Sequence, residues 1–177
     1  GGVNNAIINR FAAGFLAGAR YIDNSYTVEV NYVGGFADTT TAKAQATTMF
    51  NNGCDVVFHA AGGSGVGMFN AAEELGFIAV GVNTNQNAMN PDYIIASMLK
   101  RADNAAYMAI KSVIEGTFTG GTVTLSLADE RVGYTNEGSN IKLSDTIIAE
   151  LDKIEAGIVS GEIVVPATLE EAAEYNK

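Results

Sequence analysis

The amino-acid sequence predicts an α/β fold in three layers, with helices on both faces of a mainly parallel sheet. Short apolar runs alternate with segments of helical periodicity along most of the chain, a pattern typical of parallel strands joined by right-handed crossovers. The runs stop abruptly at small or amide residues, as in VVFHAAGGSGVG at residues 56–67 and IAVGVN at residues 78–83. The carboxyl ends of such strands form the edge at which open α/β sheets bind ligands.

The first part of the chain predicts two helices separated by a strand. The opening helix follows an N-cap at Asn4 or Asn5, and its apolar positions recur at helical spacing. Those positions are Ile8, Phe11, Phe15 and Ile22. Alternating apolar residues then predict a strand over residues 28–32. The second helix is predicted to end at Asn52 and Gly53, which tolerate a left-handed conformation.

The middle of the chain predicts three further strands and two further helices. The strands are predicted over residues 55–61, 77–82 and 93–98. The helix between the first two strands ends before Gly76, and a polar loop rich in asparagine follows the second strand. The helix after the third strand begins near Lys100 and ends at Glu115 and Gly116.

The last part predicts a strand pair and a long helix. Residues 123–127 and 132–134 alternate apolar with polar side chains, as the strands of a hairpin do. Ser144 is predicted to cap a helix that ends at Gly161, and an extended piece follows over residues 163–166. Chains of this class normally begin with a strand, whereas this one opens with a glycine pair and a helix. We therefore expect the first strand of the sheet to be missing, and a neighbouring copy, a rearranged sheet or a separate piece of chain to fill its place.

Composition narrows the possible functions. The 177 residues carry a formal net charge of −10, which argues against nucleic acid or anionic lipid as a partner, because both need clusters of Lys and Arg. Cys54 is the only cysteine and His59 the only histidine, so the sequence predicts no internal disulfide and neither a thiolate nor a multi-histidine metal site. No apolar run approaches the roughly 20 residues that span a bilayer.

The glycine-rich loop at residues 62–67 lacks a nucleotide signature. The dinucleotide pattern would need glycine at Met68, and Asn83 stands where that pattern expects an acidic residue. Small residues here instead let a ligand approach the backbone. Asn83 and Lys100 follow strand ends, where an amide and an ammonium group can bind hydroxyl or carbonyl oxygens. His59 also stands at a strand end, where a structural and a functional role are both open.

Binding is favoured over catalysis at this edge. No paired carboxylates and no nucleophile–base pair converge on it, and no cofactor is predicted. Two alternatives stay open. One is a small-molecule enzyme on a Rossmann-like or flavodoxin-like sheet, whose activity would depend on His59; the other is the ligand-sensing domain of a regulator.

Six segments together carry a family resemblance. They are residues 11–19, 32–38, 53–65, 81–86, 96–100 and 161–166. In order and spacing they resemble the basic membrane lipoprotein family (the PnrA-like or Med-like group), whose members are substrate-binding proteins of ABC transporters. The known ligands of that family are mostly purine nucleosides. The resemblance covers nearly the whole chain.

The resemblance implies a type I periplasmic-binding-protein fold, in which two lobes close over a ligand. Residues 1–177 would be the second, C-terminal lobe with its returning C-terminal segments. The first lobe, the first strand of the second lobe, the signal and the lipid-attachment cysteine would be absent from this chain. The implied partners are a nucleoside and the permease of an ABC importer, and the implied location is the outer side of the cell membrane, with a lipid anchor.

The resemblance also implies roles for individual residues. The implied ligand-binding residues are His59, Ala60, Ala61, Gly62, Asn83 and Lys100, with Phe36, Asp38, Phe58 and Asn85 as further candidates. Residues 58–62 would line the base pocket, with the ring of His59 stacked on the base, and Asn83 would hold the ribose with Lys100 nearby. The family usually has aspartate at the position of Asn83. An amide accepts with one end and donates with the other, which implies a different or weaker ligand preference.

Overall fold

The computed structural model describes residues 1–175. Its helices are α1 (Ala6–Ile22), α2 (Thr39–Asn51), α3 (Gly65–Leu75), α4 (Ala102–Ile114), α5 (Asp145–Ser160) and α6 (Leu169–Ala173), and its strands are β1 (Val56–Phe58), β2 (Ile78–Gly81), β3 (Ile94–Lys100) and β4 (Val132–Thr135). The sheet order is β1-β2-β3-β4, parallel except for β4, which pairs antiparallel with β3. The predicted α/β fold with a mainly parallel sheet is confirmed.

Local chemistry fixes the helix ends where the sequence predicts them. The side chain of Asn5 accepts from the N–H of Ile8 at 2.9 Å and caps α1. Ser144 caps α5 in the same way, and Gly161 ends that helix in a left-handed conformation with φ of 81°. Each cap satisfies a main-chain group that the helix itself leaves unpaired. None of the helices within residues 1–175 is long and apolar enough to cross a membrane.

The helices lie on both faces of the sheet. Helices α2 and α3 pack on one face, where Ala46, Val57 and Phe69 belong to one buried cluster. Successive strand residues point to opposite faces, so Phe58 points away from that cluster and stacks on Phe15 of α1, with ring centroids 5.6 Å apart. The sheet is therefore the middle layer of three.

The predicted strand over residues 28–32 does not form. Within the described part of the chain, residues 27–30 make no main-chain hydrogen bond, and β1, the nearest strand, pairs only with β2. An extended segment becomes a strand only through a partner. Residues 27–30 lack such a partner among the described residues, so the segment stays outside the sheet.

The predicted strand over residues 123–127 is also wrong, and β4 finds its partner in β3 instead. Ser126 forms a capping box with Asp129, whose carboxylate accepts from both the N–H and the hydroxyl of Ser126. Such local bonds compete with a strand ladder. Helix α6 was not predicted, although Thr168 and Glu171 form a capping box that the sequence displays.

Candidate functional site

The carboxyl ends of β1, β2 and β3 lie side by side, and their loops form one edge. The loop after β1 turns at Gly62, which has φ of 55°, and the loop after β2 turns at Asn83, which has φ of 67°. Asparagine tolerates this left-handed conformation better than most residues. The carbonyl oxygen of Asn83 accepts from the N–H of Lys100 at 2.9 Å. This bond ties the end of β2 to the end of β3.

His59 lies below this edge as a buried connector between strand ends. It is only 4% exposed, and its Nε2 lies 3.0 Å from Oε1 of Gln86. The same oxygen accepts from the N–H of Val82 at 2.8 Å, so Nε2 of His59 must be the donor. Nδ1 is then an acceptor and faces the N–H of Ala61 at 3.5 Å. The histidine is therefore the neutral Nε2–H tautomer.

The surroundings of the His59 ring keep it neutral and in place. Burial lowers the pKa of His59, opposed in part by its hydrogen bond to Gln86. Phe69 meets the ring edge-on, with centroids 5.2 Å apart. A side chain at Gly65 would overlap the ring, so the glycine is what makes room for it. The ring is enclosed by protein and does not present a face at the edge.

Lowering the pH is expected to destabilise the chain through His59. Because the folded state has the lower pKa, the unfolded state takes up the proton first, and stability falls as the pH drops below about 6.5. One proton adds a slope of at most about 1.4 kcal/mol per pH unit. Urea unfolding at pH 7, 6 and 5 measures this change in the free energy of unfolding, with His59→Gln as the comparison. Parallel pH profiles for the two proteins would contradict this assignment.

A buried polar network continues from His59 across the sheet. The N–H of Gln86 donates to the hydroxyl of Ser97 at 3.0 Å, and that hydroxyl donates to Oδ1 of Asn87 at 2.7 Å. Nδ2 of Asn87 donates to the carbonyl oxygens of Thr135 at 3.0 Å and Glu137 at 2.9 Å. The network therefore runs from the end of β1 to the end of β4 and fixes the spacing of the strand ends.

Sequence reasoning missed this network. The sequence predicts only a polar loop rich in asparagine after the second strand, whereas Asn87, which lies in that loop, and Ser97 are both fully buried. A serine within an apolar strand, as at Ser97, is the one signal in the sequence that a buried polar partner exists. Asparagine is common in surface turns, so the loop composition alone pointed the other way.

Asn83 and Lys100 are two polar residues whose side chains stay free at this edge. Both residues are exposed, and within residues 1–175 neither side chain makes a hydrogen bond or ion pair. Asn85 differs, since its side chain accepts from the N–H of Asn87 at 3.0 Å and donates to the carbonyl oxygen of Glu137 at 3.1 Å. The amide of Asn85 thus holds the loop, and that of Asn83 remains available.

The loop before α2 meets the glycine loop of β1 through Ser64. The hydroxyl of this buried serine donates to the carbonyl oxygen of Gly35 at 3.1 Å and accepts from the N–H of Asp38 at 2.9 Å. Phe36, 46% exposed, is held beside Gly62, where an added side chain would lie 3.3 Å from Cβ of Phe36. An aromatic face and bare backbone therefore stand together at the edge.

The remaining predicted site residues cap a helix, are buried or pack against other parts of the chain. The carboxylate of Asp38 caps α2, and hydrogen bonds from the hydroxyl and then the N–H of Thr41 lower its pKa. Ala61 is buried, and the carbonyl oxygen of Ala60 accepts from the N–H of Gly2 at 2.9 Å. Phe58 is stacked on α1. No group of three or more possible metal ligands occurs among residues 1–175.

Comparisons with known proteins place the chain in a family. A family model described as "ABC transporter substrate-binding protein PnrA-like" matches residues 1–169. Basic membrane protein D of Borreliella burgdorferi is 35% identical over 171 residues, which are 94% of this chain and 50% of that protein. Basic membrane protein A of the same species is 30% identical over 181 residues, covering 100% of this chain and 53% of the relative.

A solved structure agrees with the sequence comparisons. A solute-binding protein of an ABC transporter system from Aeropyrum pernix K1 superposes with a TM-score of 0.78 at 29% identity, covering 98% of this chain and 58% of that one. The chain thus spans about half the length of the relatives it matches. The relatives are substrate-binding proteins rather than enzymes, which argues against the alternative of catalysis. The chain belongs to the family of PnrA-like ABC transporter substrate-binding proteins.

Proposed function

We propose that this chain is the second lobe of the substrate-binding component of an ABC importer, and that it binds a purine nucleoside in a cleft against a first lobe. The observation that carries the proposal is the pair of unpartnered side chains, Asn83 and Lys100, held together at the carboxyl edge of the sheet by the bond between Asn83 O and Lys100 N at 2.9 Å. An amide and a cation side by side suit a neutral ligand rich in hydroxyl and carbonyl oxygens.

Each exposed group at the edge has a role in this proposal. The amide of Asn83 hydrogen-bonds the ribose hydroxyls, and Lys100 donates to a hydroxyl or carbonyl oxygen. The ring of Phe36 supplies the aromatic face for the base, in place of His59, because the His59 ring is buried. Gly62 lets the base approach the backbone closely. His59 does not contact the ligand in this proposal; its hydrogen bond to Gln86 holds the end of β1 against the loop after β2.

The proposal extends to partners and location. A site on one edge of one lobe encloses a ligand only when a second surface closes over it. We assign that surface to a first lobe and the closed complex to the permease of the importer. The same assignment locates the protein on the outer side of the membrane, held there by a lipid anchor.

Calorimetric titration of the complete gene product with adenosine, guanosine and inosine tests the function. Binding of at least one nucleoside is expected, and no heat with any of the three would contradict the nucleoside assignment. Riboflavin and simple sugars are titrated in parallel. A response to these alone would assign the same site to a different hydroxyl-bearing ligand.

Side-chain variants test the site itself. Asn83→Ala and Lys100→Ala are each expected to weaken nucleoside binding by about 10- to 100-fold, the effect of removing one good hydrogen bond. Asn70→Ala and Lys153→Ala are matched controls, because both side chains are exposed and lie on helices. Asn83→Asp is expected to bind more tightly, since a carboxylate accepts from two vicinal hydroxyls. If all variants bind the nucleoside with equal affinity, Asn83 and Lys100 do not form the binding site.

A further inference from the structure

Asn52 is the only asparagine of the chain that is followed by a glycine. An Asn-Gly pair is the sequence in which an asparagine side chain deamidates most readily, because glycine places no side chain beside its main-chain nitrogen and lets the main chain turn freely. The pair is exposed at the end of α2 and precedes β1. It therefore lies away from the carboxyl edge of the sheet, which carries Asn83 and Lys100.

The main chain around the pair forms a helix cap that ends in glycine. The N–H of Gly53 donates to the carbonyl oxygen of Phe50 at 2.9 Å. The N–H of Cys54 donates to the carbonyl oxygen of Met49 at 3.0 Å. Gly53 has φ of 99°, the left-handed conformation that this cap requires. The nitrogen that would attack the side chain of Asn52 is therefore held in a hydrogen bond as long as the last turn of α2 stays closed.

The side chain of Asn52 is held as well. Its Nδ2 donates to Oε2 of Glu29 at 3.1 Å, and Nδ2 of Asn31 donates to Oε1 of the same carboxylate at 2.6 Å. Within the part of the chain that the structure describes, the bond from Asn52 is the one hydrogen bond that joins residues 27–30 to the end of a helix. The amide of Asn52 therefore fastens this segment to α2.

We propose that Asn52 is a deamidation site, that opening of the last turn of α2 controls the reaction, and that the product releases residues 27–30. When the turn opens, the main-chain nitrogen of Gly53 attacks Cγ of Asn52, and Nδ2 leaves as ammonia with the proton that the attacking nitrogen gives up. Water then opens the succinimide ring at either carbonyl carbon, which gives aspartate or isoaspartate. The site is independent of the proposed nucleoside function.

The product carboxylate faces a like charge. It cannot donate to Glu29, and both carboxylates are negative at neutral pH. Repulsion thus replaces a hydrogen bond at this position. The isoaspartate product also lengthens the main chain by one carbon atom within the cap. Residues 27–30 then lose their bond to the end of α2, and we expect the segment to open more often.

Peptide mapping by mass spectrometry follows the reaction itself. The chain is kept at pH 8 and 37 °C, native or unfolded in guanidinium chloride, and the mass gain of deamidation at Asn52 is measured over several weeks. The rate is expected to be at least about 10-fold higher in the unfolded chain, where the N–H of Gly53 has lost its partner. Asn51, which is followed by asparagine, is the internal control and should stay unmodified.

Two results of the mapping would overturn the proposal. Equal rates in the native and the unfolded chain would show that the cap does not control the reaction. No product at Asn52 in the native chain would exclude the site.

Asn52→Asp isolates the consequence of the reaction. Chymotrypsin cleaves after Tyr26, which is exposed beside residues 27–30. The variant is expected to be cut there at least about 3-fold faster than the original chain, while cleavage after the exposed Phe118 stays unchanged. Asn52→Gln is the matched control, because its amide can still donate and its longer side chain does not close the five-membered ring. It should be cut after Tyr26 like the original chain.

Glu29→Gln separates the repulsion from a general loss of the cap. In this background the new amide can donate to the carboxylate that Asn52→Asp introduces. The double variant should therefore be cut after Tyr26 within about 2-fold of the rate of Glu29→Gln alone. The same gain in both backgrounds, or no gain with Asn52→Asp alone, would contradict the role assigned to the bond between Asn52 and Glu29.

Discussion

Gly67→Ala is expected to destabilise the chain more than other exchanges of glycine for alanine in its helices. A Cβ atom at Gly67 would overlap the carbonyl oxygen of Thr39 and lie 2.8 Å from its carbonyl carbon and 2.9 Å from the backbone nitrogen of Lys43. All three atoms belong to the main chain of α2, so no side-chain rotation relieves the overlap. Helices α2 and α3 would have to separate, and both carry residues of the buried cluster, among them Ala46 and Phe69.

The size of the effect follows from two opposing terms. Overpacking a core costs about 1–3 kcal/mol, whereas replacing a helical glycine by alanine gains about 0.5–1 kcal/mol. We expect a net loss of up to roughly 2.5 kcal/mol, a sizeable part of the ~5–15 kcal/mol that stabilises a typical domain. Urea unfolding of the purified chain measures the difference as a shift of the midpoint at constant slope.

Gly18→Ala is the matched control for Gly67→Ala. Gly18 also lies inside a helix, and nothing stands within 4 Å of its added Cβ. The control is therefore expected to gain about 0.4–1 kcal/mol. A Gly67→Ala protein as stable as the Gly18→Ala protein would show that α2 and α3 do not approach as closely as the structure has them.

Asn87→Leu is expected to cost about 3–5 kcal/mol, the largest effect of any single polar exchange here. The side chain is fully buried and bonds the hydroxyl of Ser97 and the carbonyl oxygens of Thr135 and Glu137. Leucine has a similar volume but no polar atom, so the hydroxyl of Ser97 would lose its acceptor and the carbonyl oxygen of Thr135 would lose this donor. The carbonyl oxygen of Glu137 would keep only the bond from Asn85. A buried group left unsatisfied costs about 1–3 kcal/mol.

Asn140→Leu is the control for Asn87→Leu. Asn140 is exposed and its side chain makes one hydrogen bond, to Asp92 at 2.7 Å, so its loss should cost no more than about 0.5 kcal/mol. Chemical denaturation compares the two, and nucleoside titration of the same variants in the complete protein adds a second measurement. If Asn87→Leu leaves stability and ligand affinity unchanged, the network does not hold the strand ends in place.

Sequence patterns were reliable where one local rule decides the structure. The caps at Asn5 and Ser144 and the left-handed Gly161 follow from chemistry within a few residues. The strand over residues 28–32 failed despite its apolar alternation, because a strand also needs a neighbour that lies far away in sequence. The predicted strand over residues 123–127 was wrong for a local reason. The hydrogen bonds between Ser126 and Asp129 take the place of hydrogen bonds to a neighbouring strand.

In the candidate site too, local sequence predicts which residues follow a strand end, but not which way their side chains point. Asn83, Lys100 and Gly62 were predicted at the edge because each follows a strand end in sequence, and the structure brings them to one edge. His59 was also predicted there, yet only the packed structure shows its ring enclosed between Gln86 and Phe69. Which way a side chain points at a strand end depends on the neighbouring strands, which local sequence does not encode.

The sequence by itself determined the α/β fold, the parallel sheet and the family, because hydrophobic period, capping residues and motif spacing are properties of short segments. The tertiary structure alone decided which polar residues are buried and which stay free, since burial depends on the close approach of distant segments. Asn87 and Asn83 lie four positions apart in one loop, yet the first bridges β3 to the end of β4 and the second faces outward.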